Sequence, residues 1–239
     1  WSSPTVRDSR FTLRMSNVGK PLRQLWYDNK SEMDSSVTPI TMIKFLYGHI
    51  LEEVVLMLAR LSGHEVSDEQ KEVTVNDVKG HMDCKIDGEV VDIKSASDFA
   101  FRKFKTGTIE SDDPFGYIGQ ISAYVEAEGQ DTGYLLAMNK VTGELALLEL
   151  DDFSLINATK RIQHIKKLAK NEEMPDLCYQ PQPEGKSGNM KLARDCAYCP
   201  YKWTCFPDMR VFRYGDGLRY LTTVEKEPTV QDVTESMKG

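Results

Sequence analysis

The sequence predicts a mixed α/β fold in which helices flank a sheet. Three observations predict it. Apolar residues recur at spacings of three and four over residues 40–61, which indicates a helix. Residues 72–95 instead alternate apolar and polar side chains and include Asp87-Gly88, which is typical of β-hairpins. A second helical pattern over 116–128 and a second hairpin pattern over 133–150 complete the order helix, strands, helix, hairpin.

The remaining segments follow from the same reading of the chain. Over residues 72–95 we expect two or three antiparallel strands, then a loop over about 98–114 and a basic helix over about 151–171. The chain is expected to divide into an N-terminal helical segment, a core, a cysteine module and a mobile polar tail. These four parts are residues 1–39, 40–173, 174–221 and 222–239.

Composition excludes several classes of protein. The 239 residues are 40% hydrophobic and 28% charged, which is a globular composition. The net charge of −7 argues against a protein that coats nucleic acid by charge alone, although an enzyme with a local basic groove stays open. No apolar run approaches the roughly 20 residues of a membrane helix, and the N-terminus lacks a signal-peptide pattern. We therefore expect a cytoplasmic protein without a membrane partner.

A pair of acids and a lysine form the sharpest local pattern. Asp92 and Lys94 are two residues apart, so on a strand their side chains share one face, and Asp83 falls on or near the preceding strand. Two close carboxylates are stabilised by a divalent cation, and oxygen ligands favour Mg²⁺ or Mn²⁺. The lysine is then placed to orient or deprotonate a water, as phosphodiester hydrolysis requires. The alternative is an ordinary solvated ion pair on an exposed strand.

Two helices flank this pattern with further polar residues. Glu52 follows Gly48 inside the apolar helix, and His49 and Glu53 compete with it as the relevant polar group. Gln120 and Tyr124 are four residues apart and share a helix face, where the alternative is a surface glutamine beside a core tyrosine.

In this order, the segments GHILE, GHMD, VDIKS and QISAY resemble the motifs of PD-(D/E)XK nucleases of the RecB-like and lambda-exonuclease-like branch. The resemblance covers about residues 40–150 and implies a restriction-endonuclease-like core. It implies that Glu52, Asp83 and Asp92 bind the metal, together with the backbone carbonyl of Ile93. It further implies that Lys94 is the catalytic lysine, and that Gln120 and Tyr124 position this lysine or the DNA backbone.

The function that the resemblance implies is a metal-dependent DNA exonuclease that processes single strands or DNA ends in recombination or degradation. The alternatives are a structure-selective endonuclease and a non-catalytic DNA-binding module built on the cysteines. DNA is the expected partner, and the resemblance also allows a homo-oligomer and a recombination partner protein. If a phage encodes the chain, the expected compartment is the host cytoplasm.

Four of the five cysteines lie in the C-terminal part of the chain. Cys178, Cys196, Cys199 and Cys205 have the spacing C-x17-C-x2-C-x5-C, and four such thiolates can hold one zinc ion or one Fe–S cluster. The triplet resembles that of iron–sulfur RecB-like nucleases, which favours [4Fe–4S], with Zn²⁺ as the alternative. The fourth cysteine of those relatives lies far upstream, and Cys178 replaces it here. We interpret Cys84 as a small packing residue.

Basic and aromatic residues suggest where DNA would bind. Arg102, Lys103 and Lys105 alternate with phenylalanines just after the lysine strand. Nearer the N-terminus, Arg23 precedes Trp26 and Tyr27, whose rings could stack on the bases of a single strand. The alternatives are a solvated basic loop and a helix that packs its aromatic residues on the core.

Overall fold

The structure is a computed structural model that describes residues 11–30 and 39–238. The parts of the predicted N-terminal segment that fall in 1–10 and 31–38 lie outside the described residues. The chain divides into two compact units. The first is built from residues up to Pro21 and from Asp28–Asn171, and the second from Leu22–Tyr27 and the residues from Glu172 onward.

The first unit contains a central mixed sheet. Its strands, in chain order, are β1 (Val66–Ser67), β2 (Glu72–Val75), β3 (Val78–His81), β4 (Cys84–Ile86), β5 (Glu89–Ala96), β6 (Gly133–Asn139) and β7 (Leu145–Leu150). The central sheet has the order β1-β4-β5-β6-β7, and β2 and β3 form a separate hairpin. β5 and β6 are parallel, while the other neighbours in the central sheet are antiparallel.

Helix α1 (Leu22–Lys30) lies mostly in the second unit. Among the described residues, the first unit contains four α-helices: α2 (Pro39–Leu61), α3 (Asp98–Thr106), α4 (Tyr117–Glu128) and α5 (Ala158–Lys170). The structure confirms the predicted helices at 40–61 and 116–128 and the predicted hairpin at 133–150. It also confirms the mixed α/β class, with a central mixed sheet flanked by helices. No helix among the described residues is long and apolar enough to cross a membrane.

The strands between residues 72 and 95 are joined by two tight turns. The predicted Asp87-Gly88 turn joins β4 to β5, and both residues have positive φ angles, of 52° and 88°. Asn76 and Asp77 join β2 to β3 in the same way, with φ angles of 47° and 60°. Such left-handed pairs match the twist of a hairpin. The prediction of two or three strands was therefore too low, since the region forms four.

The predicted loop over 98–114 is wrong. Its first part is α3, where the side chain of Ser97 caps the helix by accepting a hydrogen bond from the amide of Ala100 at 3.4 Å. Gly107, with a φ angle of 73°, ends the helix. Phe101 and Phe104 are three residues apart and both are buried, which is the helical spacing that the basic residues obscured in the sequence. The predicted basic helix begins later than expected, at Ala158, after the N-cap Asn157.

The two faces of β5 pack against different helices. Val90 and Ala96 lie in the larger core together with α4, whereas Val91 and Ile93 pack against Val55 of α2 on the opposite face. Because side chains alternate along a strand, Asp92 and Lys94 lie on the same face as Val90 and Ala96. The core therefore positions these two polar side chains beneath α4.

The second unit contains a separate antiparallel sheet. Its strands are β8 (Gln182–Pro183), β9 (Met190–Lys191), β10 (Arg210–Tyr214), β11 (Gly217–Thr223) and β12 (Gln231–Asp232), in the order β12-β10-β11-β9-β8. Two short helices, α6 (Lys202–Cys205) and α7 (Thr234–Lys238), accompany it. Residues 222–239, expected to be a mobile polar tail, contain β12 and α7. Arg210 of β10 holds this segment through ion pairs with Glu227 and Asp232.

Candidate active site

Asp92 and Lys94 form a buried ion pair on β5. The Nζ atom of Lys94 lies 2.5 Å from Oδ2 of Asp92. Asp92 is fully buried, and neither of its carboxylate oxygens accepts a hydrogen bond of normal geometry from the described residues. Leaving buried polar atoms unsatisfied is costly, because water no longer solvates them. The carboxylate of Asp92 therefore has the capacity to accept a further ligand.

The electrostatic environment of this pair departs strongly from that in water. Burial raises the pKa of Asp92 to about 7, against the attraction of Lys94 and with added repulsion from Asp83. Burial alone would lower the pKa of Lys94, but the attraction of Asp92 and Asp83 outweighs it and raises the pKa above its usual range. Lys94 is therefore a protonated, cationic group at neutral pH.

Asp83 lies between β3 and β4, directly before β4, and its carboxylate lies close enough to Asp92 to act on it electrostatically. Its Oδ2 accepts a hydrogen bond from the backbone amide of Ile93 at 2.7 Å, which fixes the carboxylate beside β5. Burial raises the pKa of Asp83 to about 6, and the negative charge of Glu52 adds to this effect, while Lys94 opposes it. The structure thus brings together both predicted aspartates and the predicted lysine.

Glu52 lies on α2, and its carboxylate has partners of its own outside the pair of aspartates. It accepts a hydrogen bond from the side-chain amide of Gln70 at 2.6 Å and lies 3.6 Å from Nδ1 of His49. Across residues 11–30 and 39–238, no three or more His, Cys, Asp or Glu side chains are arranged to hold a metal ion. The predicted triad of carboxylates is therefore not assembled in this conformation, in which Glu52 is bonded to Gln70.

Gln120 and Tyr124 of α4 extend the network above the lysine. Lys94 donates a hydrogen bond to Oε1 of Gln120 at 3.3 Å, and Nε2 of Gln120 donates to the hydroxyl of Tyr124 at 3.0 Å. Tyr124 is buried, and burial raises its pKa, so the hydroxyl stays protonated. The ring of Tyr117 lies 5.1 Å from the ammonium of Lys94, close enough for a cation–π contact. Asp92 of β5 and two residues of α4, Gln120 and Tyr117, thus hold the lysine in place, and Tyr124 supports Gln120.

Sequence reasoning missed Asp113 and Tyr117. The carboxylate of Asp113 accepts hydrogen bonds from the amides of Gly116, the N-cap residue of α4, and of Ile118 in its first turn, so it supplies a cap from three residues before the N-cap and fixes the helix that carries Gln120. The pair Asp113-Pro114 before a helical pattern is an N-terminal signal that could have indicated the cap. The contact of Tyr117 with Lys94 has no local sequence signal, because it depends on how α4 crosses β5.

The donor set at this place fits a divalent cation. Burial and the charge of Asp83 raise the pKa of Asp92, whose oxygens have no hydrogen-bond donor among the described residues other than the ammonium of Lys94. A hard cation accepts oxygen ligands of this type and removes the repulsion between them. Asp83 and Asp92 are therefore the residues that would hold Mg²⁺ or Mn²⁺.

The four C-terminal cysteines lie near one another in the second unit. Burial raises the pKa of Cys196 to about 12, with added contributions from Cys199, Cys178 and Cys205. None of the described cysteines forms a disulfide. Their thiols nevertheless do not meet as a metal site among the described residues. Cys84 is fully buried in the core beside Val91, which confirms that it is a packing residue.

The predicted DNA-contacting residues make contacts within the protein. In the second unit, Arg23 donates to the carbonyl of Pro175, and the ring of Tyr27 stacks on Tyr201 at 4.9 Å. The ring of Trp26 contacts that of Tyr27 edge to face. On α3, basic residues pair with acidic ones: Arg102 with Asp98, Lys103 with Asp112 and Lys105 with Glu144. Binding of DNA by either group remains a prediction.

Comparison with known proteins adds a likeness in fold. No family model and no curated protein matches the chain. One similar solved structure is a phage related exonuclease from Haemophilus somnus 129PT, with a TM-score of 0.46 and 13% identity over 67% of this chain and 91% of that chain. Another is an alkaline exonuclease from Laribacter hongkongensis, with a TM-score of 0.43 and 13% identity over 67% of this chain and 84% of that one. Similarity at this level carries no argument about function, which rests on the side chains described above.

Proposed function

We propose that this chain is a metal-dependent DNA nuclease in which Asp83 and Asp92 bind Mg²⁺ or Mn²⁺ beside Lys94. One observation carries the proposal: the buried carboxylate oxygens of Asp92 have no hydrogen-bond donor among the described residues other than the ammonium of Lys94, which lies 2.5 Å from Oδ2, and a second buried carboxylate acts on them. An ion pair that served only stability would satisfy these oxygens, because unsatisfied buried charge is destabilising.

The residues divide the work of phosphodiester hydrolysis between them. A divalent cation bound at this place supplies a Lewis acid for the phosphoryl oxygen and an acidified water. Asp83 and Asp92 fix the position of the ion, and the backbone carbonyl of Ile93 is the further ligand that the motif resemblance implies. Lys94 is cationic, so it orients the attacking water and stabilises negative charge on the phosphate. Gln120 holds the ammonium through its side-chain carbonyl.

Glu52 would be the third acid to hold the metal, once it gives up its hydrogen bond with Gln70. Its charge already acts on Asp83, so it lies within electrostatic range of the other acids. Tyr124 acts on Lys94 indirectly, through Gln120, and is a positioning residue.

The preferred reaction is exonucleolytic digestion of single strands or DNA ends, because the four motifs resemble exonucleases of this fold. A structure-selective endonuclease is the alternative within the same chemistry. The substrate reaches the site past α3, whose basic residues Arg102, Lys103 and Lys105 exchange their acidic partners for phosphates. The ion pairs of Arg102 and Lys105 are exposed and therefore weak, so their exchange has a low cost. We propose that the protein acts in the cytoplasm, in recombination or DNA degradation.

The test is digestion of DNA labelled at one end, single-stranded and duplex, with Mg²⁺, Mn²⁺ or EDTA. Release of labelled mononucleotides indicates an exonuclease, and a ladder of internal fragments indicates an endonuclease. Cleavage should depend on the metal and be lost in Lys94→Met. Lys85→Met is a matched control, because Lys85 is also 17% exposed and ion-paired, with Glu128 at 2.6 Å. Metal-independent cleavage, or equal activity in both variants, would overturn the proposal.

A second proposal concerns the cysteines. We propose that four cysteines bind a [4Fe–4S] cluster, with Zn²⁺ as the alternative, in a conformation in which their thiols are closer to one another. They are Cys178, Cys196, Cys199 and Cys205. The support is that Cys178, Cys199 and Cys205 all lie close enough to Cys196 to act on it electrostatically, while none of the four is in a disulfide. Protein purified without oxygen should contain four iron atoms or one zinc atom per chain, and a cluster absorbs near roughly 400 nm. Metal content unchanged by Cys199→Ser would exclude the site.

A further inference from the structure

Helix α2 has apolar side chains on the face that points away from the sheet. Val55 and Leu56 form its sheet-facing side, and both are almost fully buried with β5. The helix turns by about 100° per residue, so Ile50 lies about 140° around the helix from Val55. Five large apolar residues on this outer side remain between 43% and 77% exposed: Ile43, Tyr47, Ile50, Met57 and Leu61. A helix that is apolar on both sides requires a partner on each side.

These residues have a regular spacing. Together with the half-buried Val54 they lie at successive intervals of four, three, four, three and four residues, over 19 positions. We call this set the α2 seam. The interval pattern is the heptad repeat by which one helix packs against another, with each side chain entering a gap between four residues of the facing helix. A fold that needed only the sheet contact would not maintain this repeat on the opposite face.

The exposed area is large enough for a stable interface. With the flanking Leu46 and Leu58, the α2 seam exposes on the order of 700 Å² of mostly apolar surface, close to the roughly 800 Å² that each partner contributes to a standard interface. A monomeric protein rarely exposes a contiguous apolar patch of this size without a function for it. No charged residue interrupts the α2 seam, since Lys44, Glu53 and Arg60 lie beside it.

The geometry points to a second copy of this chain as the partner, with the α2 seams of two protomers packed against each other. A heptad seam is complementary to itself, so two identical copies related by a two-fold axis bury the same surface on both sides without any other binding partner. The contact uses the outer face of α2, which does not include Glu52, and Asp92 and Lys94 lie on the face of β5 opposite α2. It is therefore independent of the proposed nuclease activity.

The test is the mass of the full-length chain in solution, measured by analytical ultracentrifugation from 1 to 100 µM. The wild type should sediment at twice the chain mass of 27.2 kDa. Ile50→Glu and Met57→Glu should raise the dissociation constant of the dimer at least about 100-fold, because each introduces two charges into an apolar interface. Val141→Glu is the control: Val141 is also an exposed apolar residue, at 79%, but it lies in the turn after β6, and this variant should stay dimeric.

Circular dichroism of the variants distinguishes a lost interface from a lost fold, since the substituted residues are exposed and the helix content should not change. A wild-type chain that is monomeric at 100 µM would overturn the proposal. So would a dimer that the two glutamate variants form as tightly as the wild type.

Discussion

Asp83→Asn should stabilise the metal-free protein while it abolishes cleavage. The two effects have opposite signs because the carboxylate of Asp83 is placed for a cation and not for stability. In the wild type, an oxygen of Asp83 accepts a hydrogen bond from the amide of Ile93 at 2.7 Å, and asparagine keeps an oxygen that can accept it. It removes only the negative charge that burial and Glu52 oppose.

The magnitude follows from the pKa. A rise from 3.8 to about 6 is about two units, each worth about 1.36 kcal/mol, so the ionised carboxylate of Asp83 costs at most about 3 kcal/mol. Asp83 also interacts with Lys94 and Asp92, so its contribution is not independent of theirs. We therefore expect a smaller gain, of about 1–2 kcal/mol, in the free energy of unfolding of Asp83→Asn. The folded pKa is raised, so the folded state binds more protons than the unfolded state between pH 4 and pH 6. The stability of the wild type therefore falls as the pH rises through this window, and the advantage of the variant is complete only above it.

Urea unfolding in EDTA at pH 5 and at pH 7.5 measures this effect. The variant should have the higher unfolding midpoint at pH 7.5 and a smaller advantage at pH 5. Asp87→Asn is the control, since hydrogen bonds from His64 and the amide of Glu65 lower the pKa of Asp87 and its carboxylate is therefore stabilising. If Asp83→Asn is less stable than the wild type at pH 7.5, the carboxylate is structural and the argument for a cation site fails.

Three further outcomes are expected. Saturating Mg²⁺ should raise the Tm of the wild type, by the equivalent of about 2.7 kcal/mol at 100 times Kd, but should leave the Tm of Asp92→Asn unchanged in differential scanning fluorimetry. Tyr124→Phe should lower kcat several-fold more than it changes KM, because it removes the hydroxyl that accepts from Gln120; equal kcat values would contradict this role. Gly119→Ala should lower the free energy of unfolding, measured by chemical denaturation, by about 1–3 kcal/mol, since its Cβ would lie 2.4 Å from Cα of Gly19. An unchanged free energy would show that the two backbone segments separate easily.

The sequence by itself determined the elements that depend on local periodicity and turn chemistry. The spacing of apolar residues located α2 and α4, and Asp87-Gly88 located the turn between β4 and β5, because helix and hairpin patterns are local in the chain. The same periodicity placed Asp92 and Lys94 on one face of a strand. The mixture of cations and aromatics over 98–106 obscured α3, whose buried Phe101 and Phe104 can be distinguished only once their packing partner is present.

Only the tertiary structure decided what surrounds those side chains. The parallel pairing of β5 with β6 and the position of α4 determine which face of β5 is buried, and therefore that Asp92 lies beneath Gln120 and not in solvent. The same packing directs Glu52 to Gln70 and brings Tyr117 over Lys94. Burial and the approach of distant charges depend on contacts across many residues of chain, so no local pattern specifies them.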